Sequence, residues 1–367
     1  MRGVYCISST GNPSRGGGWN NQQLLKDCGL MPWLLAKRLG GRAVMVGNKC
    51  SDDYPYQRLL DGLELDFLPE DSLLARVNYV ERHASEIDLL VLYGAYPHYI
   101  PIVERYKDLR PNGKVYLASD MNLGWAKRIL VDHPAYRKFL DSCDVIGASN
   151  TTVAEYMRRH WRCQVELIRN GWYDFGNAPV DTSKENIILT VGRIGTRQKA
   201  TNVLLEAFAA AADKIPSWQL RLVGTVEESF KAFLAGYFLV HPRLADRVTV
   251  TGLIEDRNEL LKEYARAKIF CLTSTFEGTP NAATEALHAG CYILTSAIDA
   301  ATDITGKGRC GRVFPIGDAA RLTKLLKSIC RDERLLLKGG AFAANYARKE
   351  FDAVKIAASL YEKLYGG

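Results

Sequence analysis

Short apolar runs recur along the chain, and the stretches between them carry apolar residues at helical spacing. In the first half GVYCIS, RAVMVG, LELDFL, IDLLVLY, KVYLAS and DVIGAS have the length and the branched or aromatic content of buried strands. NQQLLKDCGLMPWLLAKRL and SLLARVNYVERHA separate them as amphipathic helices. From about residue 169 the alternation starts afresh. IILTVG, QLRLVG, VTVTG, KIFCLTS, CYILTS and GRVFP alternate with helices that include NVLLEAFAAAADKI and RNELLKEYARA. Strands that alternate with helices predict parallel sheets covered on both faces. The chain therefore reads as α/β, with two Rossmann-like doubly wound domains, 1–168 and 169–350, that face a central cleft. The segment RNGWYDFGNAPVDTSKEN, rich in Gly, Asn and Asp, reads as the linker. Residues 351–367 contain the amphipathic VKIAASLYEKLY, a terminal helix able to fold back on the first domain.

The 367 residues suffice for two domains with separate cores. A hydrophobic content of 47% with 24% charged residues marks a soluble globular chain. The net charge of +7 is spread without a basic run, so nucleic acid is not an expected partner. The nine Cys stand singly, with no metal-like spacing, and read as reduced packing residues of a cytoplasmic protein. MRGVYCISST reads as a strand rather than a leader, and no stretch is long enough to span a bilayer. Membrane contact, if made, is expected to be peripheral.

Ligands of doubly wound sheets bind beyond the carboxyl ends of the strands, so the chemistry is sought in the loops that follow strands. In STFEGTPNAATEALHAG, Thr279 is the expected N-cap, Pro280 the first helical residue and Gly290 the stop. Such a helix start offers N–H groups and a positive dipole end to an anion. Glu277 precedes it and Glu285 follows, and two carboxylates flanking a phosphate site suit the paired hydroxyls of a sugar and a ribose. In ILTVGRIGTRQKATNVLLEAF, Arg193 and Lys199 follow a strand and can neutralise a diphosphate; Arg197 reads as a surface residue. CISSTGNPSRGGGWNN brings Gly17 and Gly18 to a strand end, where backbone can approach phosphate. The spacing is not that of a dinucleotide fingerprint. In the first half, Asp120 in KVYLASDMNLGW follows a strand and could orient the acceptor hydroxyl or stabilise an oxocarbenium-like centre, with a turn cap as the equally plain structural reading; His98 in LYGAYPHYIP could serve the same purpose, although a ring packed among Tyr96, Tyr99 and Pro residues is the default. Trp19, Trp125 and Tyr96 can stack on a sugar, although aromatic packing is the default for each.

The sequence resembles the retaining glycosyltransferases of the GT-B fold, family 4 type. Their signature is two Glu separated by seven residues in an EGxPxxxxEA context, and this chain has EGTPNAATEA. VGRIGTRQKATNVLLEAF, IRNGWYD and the run TGLIEDRNELLKEYARAKIFCLTS resemble further parts of that family. The interval from Arg193 to Lys199 is one residue longer than usual, and Ala200 stands where Gly is common. The resemblance implies that Glu285 holds the ribose and Glu277 the donor sugar. It assigns the diphosphate to Arg193 and Lys199, with the backbone of Gly278, Thr279, Asn281 beside Pro280, and Gly17 or Gly18. Backbone around Gly252, Leu253 and Ile254 would cradle the base. It further implies transfer from a nucleotide-diphosphate sugar, UDP by default, to a hydroxyl of a glycan or lipid-linked acceptor, without a metal or other cofactor. The alternatives left open are an epimerase or phosphorylase on the same scaffold, or a non-catalytic nucleotide- or glycan-binding protein.

Overall fold

The computed structural model describes residues 2–9, 18–176 and 183–366. The chain divides into two compact units, Met1–Tyr173 with Phe351–Gly367, and Asp174–Glu350.

The first unit is built on strands β1 (Gly3–Ile7), β2 (Gly18–Trp19), β3 (Arg42–Lys49), β4 (Leu63–Phe67), β5 (Leu89–Tyr93), β6 (Lys114–Ser119), β7 (Val145–Ala148) and β8 (Glu166–Leu167). They form one sheet in the order β2-β3-β1-β5-β6-β7-β8, with β4 also paired to β3, and every pairing is parallel. Burial on both faces explains why the central strands β1, β5, β6 and β7 are apolar nearly throughout, whereas the edge strand β4, LELDF, alternates. Tyr99, Tyr106 and Trp161 close the core beneath the sheet, and each large side chain so buried contributes about 1.5–3 kcal/mol.

The single helix expected over residues 21–39 is two, Asn21–Leu24 and Asp27–Leu39. Asn20 and Gln23 cap each other reciprocally, so the first turn is satisfied locally, and Lys26 is extended. The terminal helix Ala353–Tyr365 packs on Asp27–Leu39. The boundary between the units lies beyond the expected residue 168, because the RNGWY segment is tied to this returning tail. The Trp172 N–H donates to Phe351 O at 2.8 Å, and the Ala353 N–H donates to Trp172 O at 3.0 Å.

The second unit holds β9 (Glu185–Val191), β10 (Gln219–Val223), β11 (Val248–Gly252), β12 (Ala267–Leu272), β13 (Tyr292–Ser296) and β14 (Gly311–Phe314). Their order is β11-β10-β9-β12-β13-β14, all parallel. The sequence order of the strands reverses at β9, and β9 is hydrogen-bonded to β12. Loops that leave the carboxyl ends of these two strands are therefore neighbours at the switch point of the sheet. Phe208, Leu220, Ile269 and Tyr292 lie in the core on which this edge rests.

Candidate active site

The loop after β9 carries Arg193 and Lys199, and the loop after β12 carries Ser274 and Glu277. Since the two strands are adjacent, the loops meet, and Gln198 fastens them. Its carbonyl accepts from the Thr275 N–H at 2.8 Å, and its amide nitrogen donates to Phe276 O at 3.1 Å. Its amide oxygen accepts from Arg193 Nη2 at 2.9 Å. Thr273 Oγ1 donates to Lys199 O at 2.8 Å. Across this seam Lys199 Nζ lies 2.6 Å from Glu277 Oε1, and Ser274 Oγ donates to the same oxygen at 2.8 Å. The Lys199 stem lies beside Gly192, where an added Cβ would stand 3.3 Å from Lys199 Cε. The sequence placed Lys199 and Glu277 on opposite ligand groups, and in the structure they hold each other. Gln198 was not anticipated, because its role exists only once β9 and β12 are side by side.

The following helix spans Asn281–His288 and its N-cap is Pro280, with φ −72° and ψ 116°. The expected cap, Thr279, is one residue too early and is buried. Pro suits either position, since it has no N–H to satisfy. Glu285 stands one turn into the helix, about 6 Å from its start. Its carboxylate pairs with Arg257 Nη1 at 2.7 Å, both side chains being largely shielded. The Tyr264 phenol is buried beside it, and burial first, then the Glu285 charge, pushes its pKa well above the ordinary value. Arg257 opens the helix that follows β11, capped by Asp256, whose Oδ1 accepts from the Asn258 and Glu259 N–H groups. Nothing in the sequence marked Arg257 apart from the other charges of RNELLKEYARA. Gly252, Leu253 and Ile254 lie at the exit of β11, where Gly252 O accepts from the Gly224 N–H and Leu253 is half exposed.

In the first unit Asp120 follows β6, with Oδ1 accepting from Ser149 Oγ at 2.9 Å and from Asn170 Nδ2 at 3.4 Å. With Asp27, Tyr93, Ser119 and Arg169 it lines a narrow polar cleft at the strand ends. His98 lies in the turn after β5, stacked on Tyr96 with ring centroids 5.2 Å apart. Burial, then the Arg76 charge, lowers its pKa, which keeps the ring neutral at pH 7. Gly17 lies outside the described residues. Gly18 sits in β2 rather than in an open loop, and an added Cβ would fall 1.9 Å from Asn48 O, so close strand pairing requires the glycine there. Arg76 was missed. It is fully buried, donates to Ser8 O at 2.8 Å and Ser9 O at 3.2 Å, and pairs with Asp71 at 2.9 Å. It thereby fixes the chain where β1 ends. An arginine on the apolar face of SLLARVNYVERHA was the available signal.

Two parallel doubly wound sheets, the second with cations and carboxylates gathered at its strand exits, define the GT-B architecture. Residues 185–332, all within the second unit, match the family described as glycosyl transferases group 1. The chain is 28% identical over 203 residues to an α-1,4-N-acetyl-D-galactosaminyltransferase of Campylobacter jejuni, named for acting on a diNAcBac-PP-undecaprenol-linked glycan; the match covers 53% of this chain and 52% of that one. It is 26% identical over 163 residues to the phosphatidyl-myo-inositol mannosyltransferase of Mycobacterium leprae, covering 44% of this chain and 42% of that one. The chain thus spans about half the length of the curated relatives it matches. In fold it is similar over 100% of both chains to Anabaena HepE, crystallised with UDP, with a TM-score of 0.74 at 16% identity.

Proposed function

We propose that the protein is a retaining glycosyltransferase that moves a sugar from a nucleotide-diphosphate sugar to a hydroxyl of a glycan or lipid-linked acceptor. The observation that carries this reading is the seam joining Arg193, Gln198, Lys199, Ser274 and Glu277 at the switch point of the second sheet, beside the start of the Asn281–His288 helix. The diphosphate lies at that helix start, where first-turn N–H groups and the dipole favour an anion. Arg193 and Lys199 take up its charge as it departs, so no metal is required for that step. Glu285, held by Arg257, receives the ribose hydroxyls, and Glu277 receives the donor sugar. The bond from the anomeric carbon to the diphosphate oxygen breaks while the bond to the acceptor oxygen forms on the same face. The acceptor proton passes to the departing oxygen. Asp120, oriented by Ser149 and Asn170, lies in the unit assigned to the acceptor. The HepE complex and the lipid-linked substrate in the name of the Campylobacter relative support UDP and a lipid-linked acceptor as first choices. No described helix is long and apolar enough to cross a membrane.

The test incubates the protein, with EDTA present, with a panel of nucleotide-sugars and lipid-linked or free glycan acceptors, and reads nucleoside diphosphate release and the anomeric proton coupling of the product. Acceptor-dependent release with the donor's anomeric configuration is expected. An epimerised donor without acceptor, an inverted product, or no release with any pair overturns it.

A further inference from the structure

The loop that carries Arg193 and Lys199 is held from the β10 side as well as from the β12 side. Within residues 193–199 Ile194 alone is buried, so the loop is rooted there. The Ile194 N–H donates to Thr225 O at 2.7 Å and the Glu227 N–H donates to Ile194 O at 2.9 Å, which bridges Ile194 to Val226 just past β10. Gly195 comes next, at φ 89°, and a Cβ added to it would stand 2.2 Å from both Cβ and Cγ of Phe230. Glycine lets the backbone turn that way directly against an aromatic side chain. The Gly195 N–H donates to Thr201 Oγ1 at 3.1 Å, so the turn is also tied to the helix Thr201–Ala211. Phe230 is itself fixed. It is buried in the first turn of the helix Glu228–Val240, its N–H donates to Glu227 O at 2.9 Å, and its ring stacks on Phe233 with centroids 4.9 Å apart.

We propose that Phe230 is a positioning residue for the two cations. Its side chain seats Gly195, and the seat fixes the turn from which Arg193 on one side and Lys199 on the other reach a shared diphosphate. The inference deepens the catalytic reading and rests on it, with Phe230 acting only through the loop. Backbone at 193–199 that is set before binding spares the diphosphate the entropic cost of ordering it. Without the ring, Ile194 keeps its bridge to Val226, but Gly195 loses its seat and the stretch from Thr196 to Lys199 is no longer referred to β10. Thr196 passes the effect on: its Oγ1 accepts from the Lys199 N–H at 3.2 Å, and its carbonyl accepts from the Ala200 N–H at 3.0 Å. The loss should therefore fall on the diphosphate and spare the nucleoside, whose proposed contacts lie at Glu285 and around Gly252.

The test is calorimetric titration of the full chain with UDP, GDP and ADP, and with the matching nucleoside monophosphates, which lack the β-phosphate. For the nucleotide that the parent binds, Phe230→Ala should lower the ratio of diphosphate to monophosphate affinity about tenfold, with monophosphate affinity kept within about threefold. Phe230→Leu, which leaves an apolar group under Gly195, should restore the ratio to within about threefold of the parent. Gly195→Ala disturbs the same contact from the loop side and should lower the ratio by a similar factor, which keeps the inference testable if Phe230→Ala does not fold. Equal loss of both nucleotides, the mark of a generally loosened domain, or an unchanged ratio in either folded variant overturns the inference and leaves the catalytic reading in place. A parent chain that binds none of the diphosphates overturns both.

Discussion

Replacing Glu277 with Gln separates the ion pair that the structure shows from the donor-sugar contact proposed above. Glu277 neutralises Lys199 across 2.6 Å, with 20% of the Lys199 and 11% of the Glu277 side chain exposed. At an effective dielectric constant of ~20 the direct attraction is about 6 kcal/mol. Desolvation of the two groups returns most of it, leaving about 1–2 kcal/mol that a diphosphate must compete against to engage Lys199. Gln keeps the shape and the acceptor oxygen for Ser274 but gives up that competition. UDP alone should therefore bind Glu277→Gln about tenfold more tightly than the parent. The carboxylate proposed to hold the donor sugar is also lost, and turnover should fall at least about a hundredfold. Titration calorimetry with UDP and initial rates with the full donor measure the two effects separately. UDP affinity that drops in the variant, or turnover that survives, would refute the assignment of Glu277 to both Lys199 and the sugar.

Three other outcomes follow from the same geometry. Glu285→Ala should weaken donor binding about tenfold, whereas Lys199→Ala should lower turnover by roughly a hundredfold or more, and rates at saturating donor distinguish them. Burial alone would raise the Asp144 pKa, but the Lys114 ammonium, the Val115 N–H and Lys107 outweigh it and hold the group below the usual carboxylate range. A depressed pKa means that stability from Asp144 is present above about pH 4 and is lost as the pH falls through the folded value. Asp144→Asn should accordingly cost about 1–3 kcal/mol at neutral pH and flatten the acid limb of the melting profile, whereas an unchanged acid limb would contradict it. Ala200 precedes the Thr201–Ala211 helix at φ 46° and ψ 46°, a left-handed conformation that costs a side chain about 1 kcal/mol. Ala200→Gly should melt within about 2 °C of the parent, since strain relief offsets added unfolded-state entropy, whereas Ala200→Val should melt several degrees lower.

The central strands were legible because they are covered on both faces, so that β1, β5, β6, β12 and β13 read as apolar runs. Helix ends were less so. Pro280 is compatible with a cap or a first position, and the capping pair Asn20–Gln23 divides a stretch whose periodicity continues through it. The charged candidates at the strand exits were found from loop position alone, and Lys199 and Glu277 do meet. Their companions were not, since Gln198 and Arg257 acquire their parts from the adjacency of β9 with β12 and from the packing of the Arg257–Arg266 helix beside Asn281–His288. Local sequence carries no record of either. Gly18 shows the converse error: three successive glycines suggest an open loop, while the last of them is required by the backbone of β3.

The claim on which the rest depends is that the strand exits of the second unit grip an activated sugar through its nucleotide diphosphate. Calorimetric titration of the parent chain and of the Arg193→Ala, Lys199→Ala double variant with UDP-, GDP- and ADP-sugars tests it most directly. One of these donors should bind the parent, and that heat should vanish in the double variant while its melting temperature stays within a few degrees. Binding that is indifferent to the loss of both cations, or a parent chain that takes up none of the donors, would contradict it.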